Sequence, residues 1–453
     1  MTPGFDNQAL ALQAIYGGTD LLQGSETACY SHDQSRVAAE AAAAVVFPVE
    51  HQQIVDTVNW ARFHNVVLVP SGGRTGLSGG AVANRDSVVL SLDRMNRLLD
   101  FDRENGEITV EAGMTIARLQ QLAAEAGWFY PVDYASRDTA QVGGALACNA
   151  GGIRVLRYGM TRDQVLGLTA ITGSGEILSI DRRLIKDNAG YDLKNLLIGS
   201  EGTLAIITSA TFKLASPMPE QTTVLMAFDD LPSLLKVFSS LKRYGNLSAA
   251  EFFCDNCMDI VGRLHNMTSP FSGRHMFYLL LEYDHDSITD DRLLQTAEGA
   301  DCVLAHNQRQ AQTLWQWREK ISTSIHPMQP YKQDLACHVY CLTDWLSDLQ
   351  QSVSAIDKNL QLLLFGHIGD GNVHVNIVQG DGGVPECPEA ELDQLLAKLC
   401  RRYNGTVSAE HGIGLLKKPL LTAARTEQEL ALYGQIKKVF DPGNILNRGK
   451  LLG

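Results

Sequence analysis

The chain has 453 residues, with 38 basic against 51 acidic side chains and a formal net charge of −13. That length calls for two or three domains. The acidic balance argues against nucleic acid or an anionic membrane as partner, and no apolar run approaches the ~18 residues that would span a bilayer.

Hydrophobic content of 45% and charged content of 20% fit a soluble globular protein. The first 35 residues hold no Lys or Arg, which argues against a secretory signal or mitochondrial presequence. Nine cysteines form no framework. They read as reduced thiols of a cytoplasmic protein, Cys254 and Cys257 as a buried pair.

Residues 1–45 are alanine-rich and read as helical, with a break at Gly17-Gly18. A helix over 50–64 follows, then a strand at 66–69 that runs into Pro70–Gly80. Strands are expected at 88–92 and 107–112 and a helix at 115–126. A second glycine-rich stretch covers 143–152. Residues 166–172 and 176–180 read as a hairpin, and a third loop, 199–203, precedes an apolar run at 204–208. Ser216-Pro217-Met218-Pro219 is the best boundary, because two prolines in three residues stop regular structure. Beyond it come strand 222–228, helix 231–243, strand 276–283, helices 311–325 and 343–357, strand 361–367 and a final helix 427–439. This alternation predicts an α+β domain with an antiparallel sheet.

Five glycines between positions 72 and 80 let successive N–H groups point inward and cradle an anion. No G-x-G-x-x-G fingerprint and no Gly-Lys-Ser/Thr ending occurs. Three such loops before residue 216 point to one dinucleotide with a pyrophosphate.

Farther on, His367, His374 and Glu410 match the ligand set expected of a catalytic divalent metal with an open position; the alternative is a hairpin whose histidines only hydrogen-bond. Asp370-Gly371 is a two-residue hairpin signal. Such a turn pairs Gly369 with Asn372 and sets His367 directly across from His374, with Asn376 on the same face.

From about residue 45 onward the chain resembles the FAD-linked D-2-hydroxyacid dehydrogenases of the vanillyl-alcohol-oxidase flavoprotein superfamily. The resemblance is carried by Pro70–Gly80, Gly143–Gly152 with Arg157-Tyr158-Gly159, Lys186–Leu193, Gly199–Thr208, Gly366–Asn376, Ser408–Gly412 and Asp441–Asn447. It implies an α+β fold. A two-subdomain FAD-binding domain would span 1–215, an antiparallel-sheet cap domain 216–415, and a segment returning to the flavin 416–453.

It further implies that Ser71, Gly72, Gly73, Arg74, Thr75 and Gly76 hold the pyrophosphate. Pro131, Asp133, Thr139, Gly143, Gly144, Asn149 and Gly152 would line the flavin. Glu201, Gly202, Ile207 and Asn447 would complete the site. Arg74 stands where Asn is common, and Ala189 replaces a usual Thr. The loop lacks the His of covalent members, so non-covalent FAD is expected.

By the same resemblance a divalent metal, zinc being the expected ion, binds His367, His374 and Glu410. His411 is the general base. Arg318, Ser322 and Lys332 correspond to residues that bind a second substrate carboxylate, and Asn376 joins the substrate site. The implied substrate is D-2-hydroxyglutarate, with D-lactate, glycolate or another D-2-hydroxyacid as alternatives. The electron acceptor would be an electron-transfer flavoprotein or a quinone, and a homodimer is compatible. A metallohydrolase using His-His-Glu is the reading from another class; such a protein would be colourless.

Overall fold

The computed structural model describes residues 5–452 apart from Glu298 and Asp381. The chain forms two compact units. The first holds residues 1–152, 159–217 and 410–453; the second holds 153–158 and 218–409. The chain thus enters the second unit after Pro217 and leaves it after Ala409, not at 415. Residues 153–158 belong to the second unit, though they lie far upstream of Pro217 in sequence.

The first unit contains two sheets. In one, β1 (Leu21–Gln23), β2 (Ala44–Val46), β3 (Val67–Ser71) and β4 (Ser87–Ser91) are arranged in the order β1-β2-β4-β3. The pairs β2–β4 and β3–β4 are parallel. The helix His51–His64 connects β2 to β3 and buries Ile54, Thr57, Val58 and Ala61. That three-and-four spacing turns one helical face to the core. Ile445 and Leu446, near the C-terminus, join the same core, and Leu68 of β3 donates its N–H to Ile445.

The second sheet is antiparallel, in the order β5 (Leu98–Asp102), β6 (Glu107–Glu111), β9 (Ala205–Lys213), β7 (Val165–Thr172), β8 (Ile177–Ile180). The helix Ile116–Glu125 covers it with Ile116, Leu119, Leu122 and Ala123, capped by Thr115.

The alanine-rich N-terminus is helical only over Phe5–Tyr16. Residues 1–4 lie outside the described residues. Ala44–Val46 is a strand because it pairs in parallel with Val88–Leu90. Burial of this segment between neighbours outweighs alanine's preference for helix.

The second unit is built on one seven-stranded antiparallel sheet. Its strands are β10 (Gln221–Phe228), β11 (Leu247–Cys254), β12 (Phe277–Asp284), β13 (Asp301–Leu304), β14 (Tyr331–Ala336), β15 (Leu360–His367) and β16 (Asn372–Gln379). They run in the order β13-β10-β12-β11-β15-β16-β14. The helix Leu231–Tyr244 starts at Asp230, whose side chain accepts the Ser233 N–H at 2.7 Å, and buries Leu231, Leu234, Val237, Phe238 and Leu241. Such a cap contributes about 1 kcal/mol. The expected helix 311–325 is two helices, Gln308–Glu319 and Ile321–Ile325, separated at Lys320.

The hairpin register differs from the sequence expectation by two residues. His367 pairs with Asn372, and Phe365 pairs with His374. The cause is Ile368, which is fully buried and donates its N–H to Ala250 of β11. It therefore leaves the β15–β16 ladder, and the connection becomes four residues long. Gly371 has φ +80°, and a Cβ there would meet the Cys337 carbonyl at 2.0 Å. A two-residue shift conserves the side-chain face, so His367, His374 and Asn376 still share one side of the sheet.

Candidate functional site

In the first unit, β3 delivers Ser71 to the start of the glycine-rich loop. The N–H groups of Gly72, Gly73, Arg74, Thr75 and Gly76 make no hydrogen bond among the described residues. The buried Ser71 hydroxyl likewise has no partner. Five consecutive donors without acceptors form a concave site for an anion. The loop lies hard against residue 139, since a Cβ on Gly73 would stand 1.9 Å from the Thr139 carbonyl. Arg74 sits at φ +56°. Its guanidinium donates to the Gly72 carbonyl at 3.0 Å, lies 3.7 Å from Asp93 and stacks 4.7 Å from the Tyr30 ring centre. Anion binding therefore rests on the backbone more than on this cation.

The second glycine stretch adjoins the first. A Cβ on Gly72 would be 3.6 Å from the Gly144 nitrogen, and open space surrounds Gly144 itself. Asn149 ends the short helix Val142–Cys148 at φ +50°, and its side chain accepts the Arg162 N–H at 3.0 Å. Gly152, at φ +133°, runs so close to Asp133 that a Cβ would stand 2.0 Å from that carbonyl. Its N–H donates to the Glu410 carboxylate at 3.1 Å. Pro131 is buried and Thr139 is exposed.

Glu201, at φ +52°, accepts the N–H groups of Ile413 and Gly414 at 2.8 and 2.7 Å. Burial pushes its carboxyl pKa up, and those two N–H groups oppose the shift. Asn447 donates to the carbonyls of Glu201 and Gly80 and accepts from Lys450 at 2.9 Å. Ile207 is buried on β9, beside Gly202 and its loop. All the residues expected to hold FAD thus lie in this unit. The unbonded N–H groups at 72–76, the orphaned Ser71 hydroxyl and the space at Gly144 fit a dinucleotide.

In the second unit, one face of the sheet collects polar side chains. The register places Lys332 opposite Asn376 and Asp334 opposite His374, and Glu251 opposite His367. The two imidazoles lie 5.4 Å apart between ring centres. Each has a buried carboxylate at Nδ1: His367 is 2.5 Å from Glu251, and His374 is 3.3 Å from Asp334. A carboxylate that takes Nδ1–H leaves Nε2 as the lone pair able to ligate a cation.

Asp334 is held in turn by the Asn372 side chain at 2.7 Å and the Ala409 N–H at 3.1 Å. Glu410 and His411 are the next residues of the chain. Within the first unit, the His411 carbonyl accepts from the Ser78 hydroxyl at 2.7 Å.

Arg318 is buried at the end of its helix, with Nε 2.7 Å from Glu251 and the guanidinium 4.8 Å from the Phe365 ring centre. Lys332 has no hydrogen bond or ion pair among the described residues. Burial pulls its pKa down, opposed by Asp334. Asn376 is fully buried. Its amide nitrogen donates to Leu363 and His374 at 3.2 Å each, and its amide oxygen has no partner. Ser322 sits half-buried past the Lys320 break, so it does not continue Arg318's helix.

Glu251 and Asp334 were not among the residues expected from sequence. Glu251 has a local signal, an acid alone within the apolar strand Ala249–Phe253, whereas Asp334 follows Lys332 and Gln333 and has none. The other expected feature of the second unit, the Cys254–Cys257 pair, is buried with sulfurs 3.7 Å apart, and all nine cysteines are free. No described helix is long and apolar enough to cross a membrane.

Comparison with known proteins gives two family matches. Residues 42–181 match the family described as FAD binding domain, and residues 218–451 match FAD linked oxidases, C-terminal domain. The D-2-hydroxyglutarate dehydrogenase of Xanthomonas citri pv. viticola is 39% identical over 433 residues, 93% of this chain and 92% of that protein. A Schizosaccharomyces pombe protein provisionally named a mitochondrial D-lactate dehydrogenase is 34% identical over 427 residues, 88% of this chain and 80% of that one. The solved structure of p-cresol methylhydroxylase with substrate bound superposes with a TM-score of 0.78 at 15% identity, over 99% of this chain and 97% of that one. The chain therefore belongs to the FAD-linked oxidase family, as an FAD-dependent dehydrogenase.

Proposed function

We propose that the protein oxidises D-2-hydroxyglutarate to 2-oxoglutarate with FAD and a divalent metal, zinc being the expected ion. The observation that carries this is the face shared by Lys332, Asn376, His374 and His367, with Arg318 beside it. It offers two cations for a second carboxylate next to two imidazoles whose Nδ1 atoms each face a buried carboxylate. The donor set of His367, His374 and Glu410 suits zinc, and buried carboxylates behind both histidines are the support such ligands use. When bound, FAD accepts the C2 hydride and the metal polarises the C2 hydroxyl.

The chain's residues do the rest. Arg318 and Lys332 bind the distal carboxylate by charge-assisted hydrogen bonds, with the Ser322 hydroxyl as a further donor. The unpaired amide oxygen of Asn376 accepts from a substrate hydroxyl. His411 takes the hydroxyl proton at an imidazole nitrogen, a base suited to neutral pH. The glycine-rich loop 71–76 holds the pyrophosphate through backbone N–H groups. The electron acceptor is proposed to be an electron-transfer flavoprotein or a quinone, since the chain has no G-x-G-x-x-G nucleotide fingerprint.

The test is a panel of D-2-hydroxyacids with an artificial acceptor. The five-carbon diacid should have the highest kcat/KM. A preference for D-lactate or glycolate would reject the substrate and favour a sibling activity on the same scaffold.

A further inference from the structure

Glu251 is 1% exposed and stands in β11, directly across from His367 of β15. Its two carboxylate oxygens face different partners. Oε1 is 2.5 Å from His367 Nδ1, and Oε2 is 2.7 Å from Arg318 Nε. Arg318 is also fixed from the other side, with its guanidinium against the Phe365 ring. Phe253 pairs with Phe365 one step along the same ladder, which closes this corner with apolar surface. Burial of this carboxylate is offset by the hydrogen bond at Oε1 and by the charge of Arg318 beside Oε2, an ion pair without hydrogen-bond geometry.

We infer that Glu251 is a positioning residue that couples the metal site to the second-carboxylate site. This rests on the reading of His367 as a metal ligand and Arg318 as a carboxylate partner. By accepting Nδ1–H, Glu251 fixes the His367 tautomer and turns Nε2 toward the cation. By pairing its charge with Arg318 on the Nε side, it leaves the two terminal nitrogens of Arg318 as the fork that meets a substrate carboxylate. One side chain therefore sets the distance between the carbon that reacts and the carboxylate that is recognised. A glutamine cannot replace it, because a neutral amide has one acceptor oxygen and no charge to pair with Arg318. The charged Arg318 takes that oxygen, and the amide NH2 then faces His367 and demands the Nε2–H tautomer, which cannot ligate.

The variant is Glu251→Gln, read in three ways. In metal-free protein, imidazole 15N shifts should show His367 moving from Nδ1–H to Nε2–H. Zinc affinity, by competition with a chelator, should fall about 10–100-fold, the usual effect of losing a ligand's carboxylate partner. At saturating zinc, KM for D-2-hydroxyglutarate should rise while KM for D-lactate changes little. If the glutamine variant loses FAD or fails to fold, Glu251→Asp carries the same three readouts. Its shorter arm keeps both acceptors and withdraws them from both partners.

A lower Tm with tautomer, zinc affinity and KM split unmoved would reduce Glu251 to a structural group and overturn the proposal. A change on only the metal side or only the substrate side would overturn the coupling. Wild-type protein that binds no zinc, or shows no preference for the diacid, would instead reject the underlying reading.

Discussion

Lys332 and Asn376 face each other across β14 and β16, one alternation beyond Asp334 and His374. The sheet thus sets Lys332 and Asn376 two residues along from Asp334 and His374. Lys332 makes no hydrogen bond or ion pair among the described residues; burial lowers its pKa and the Asp334 carboxylate opposes the shift.

The flavin should be released by acid or heat. The loop 71–80 has no histidine to form a covalent bond, and its unbonded N–H groups offer only hydrogen bonds. The protein should purify yellow, and the supernatant after precipitation should carry the FAD. Flavin retained on the pellet would contradict non-covalent binding.

Metal binding should depend on Asp334 although Asp334 was not expected from sequence. Chelation, or His374→Ala, should abolish turnover and leave FAD bound, with about one equivalent of metal lost in the alanine variant. Asp334→Asn should weaken zinc binding about 10–100-fold by freeing the His374 ring. Metal content by atomic absorption and flavin absorbance separate the two effects. Full activity in metal-free protein would make the histidines structural.

The one face of β16 that carries His374 and Asn376 was legible, because alternation alone puts them together. The register was not. It depends on Ile368 bonding to Ala250, a residue 118 positions earlier, and no local signal announces that. Glu251 and Asp334 escaped for the same reason: their histidines lie 116 and 40 residues away in sequence and meet them only through sheet order. β14 itself was missed, though its alternation of Tyr331, Gln333 and Leu335 with Lys332, Asp334 and Ala336 is regular. The glycine-rich loops were legible as a nucleotide site from their density. The pairing of Asn447 and Lys450 with Gly80 was not, since it closes across 370 residues.

Stability should rise with pH above neutrality through Lys450. Burial lowers its pKa from an ordinary 10.5 to about 7, opposed by Asp33 and Glu201. Between those values the unfolded chain binds a proton that the folded chain does not, so raising the pH favours folding. Below about pH 7 the cost of burying the charge is fully present. Tm measured from pH 6 to 9 should climb more steeply for wild type than for Lys450→Met. Identical slopes would show that Lys450 keeps its charge when folded.

The most direct test of the substrate reading is Lys332→Met, measured as kcat/KM for D-2-hydroxyglutarate and for D-lactate. Breaking a buried charge pair costs about 3–5 kcal/mol, or about 10²–10⁴-fold in rate. The account predicts a loss of that size on the diacid and a collapse of the ratio between the two substrates. An equal loss on both would place Lys332 at the reacting carboxylate or in folding, and would contradict the account.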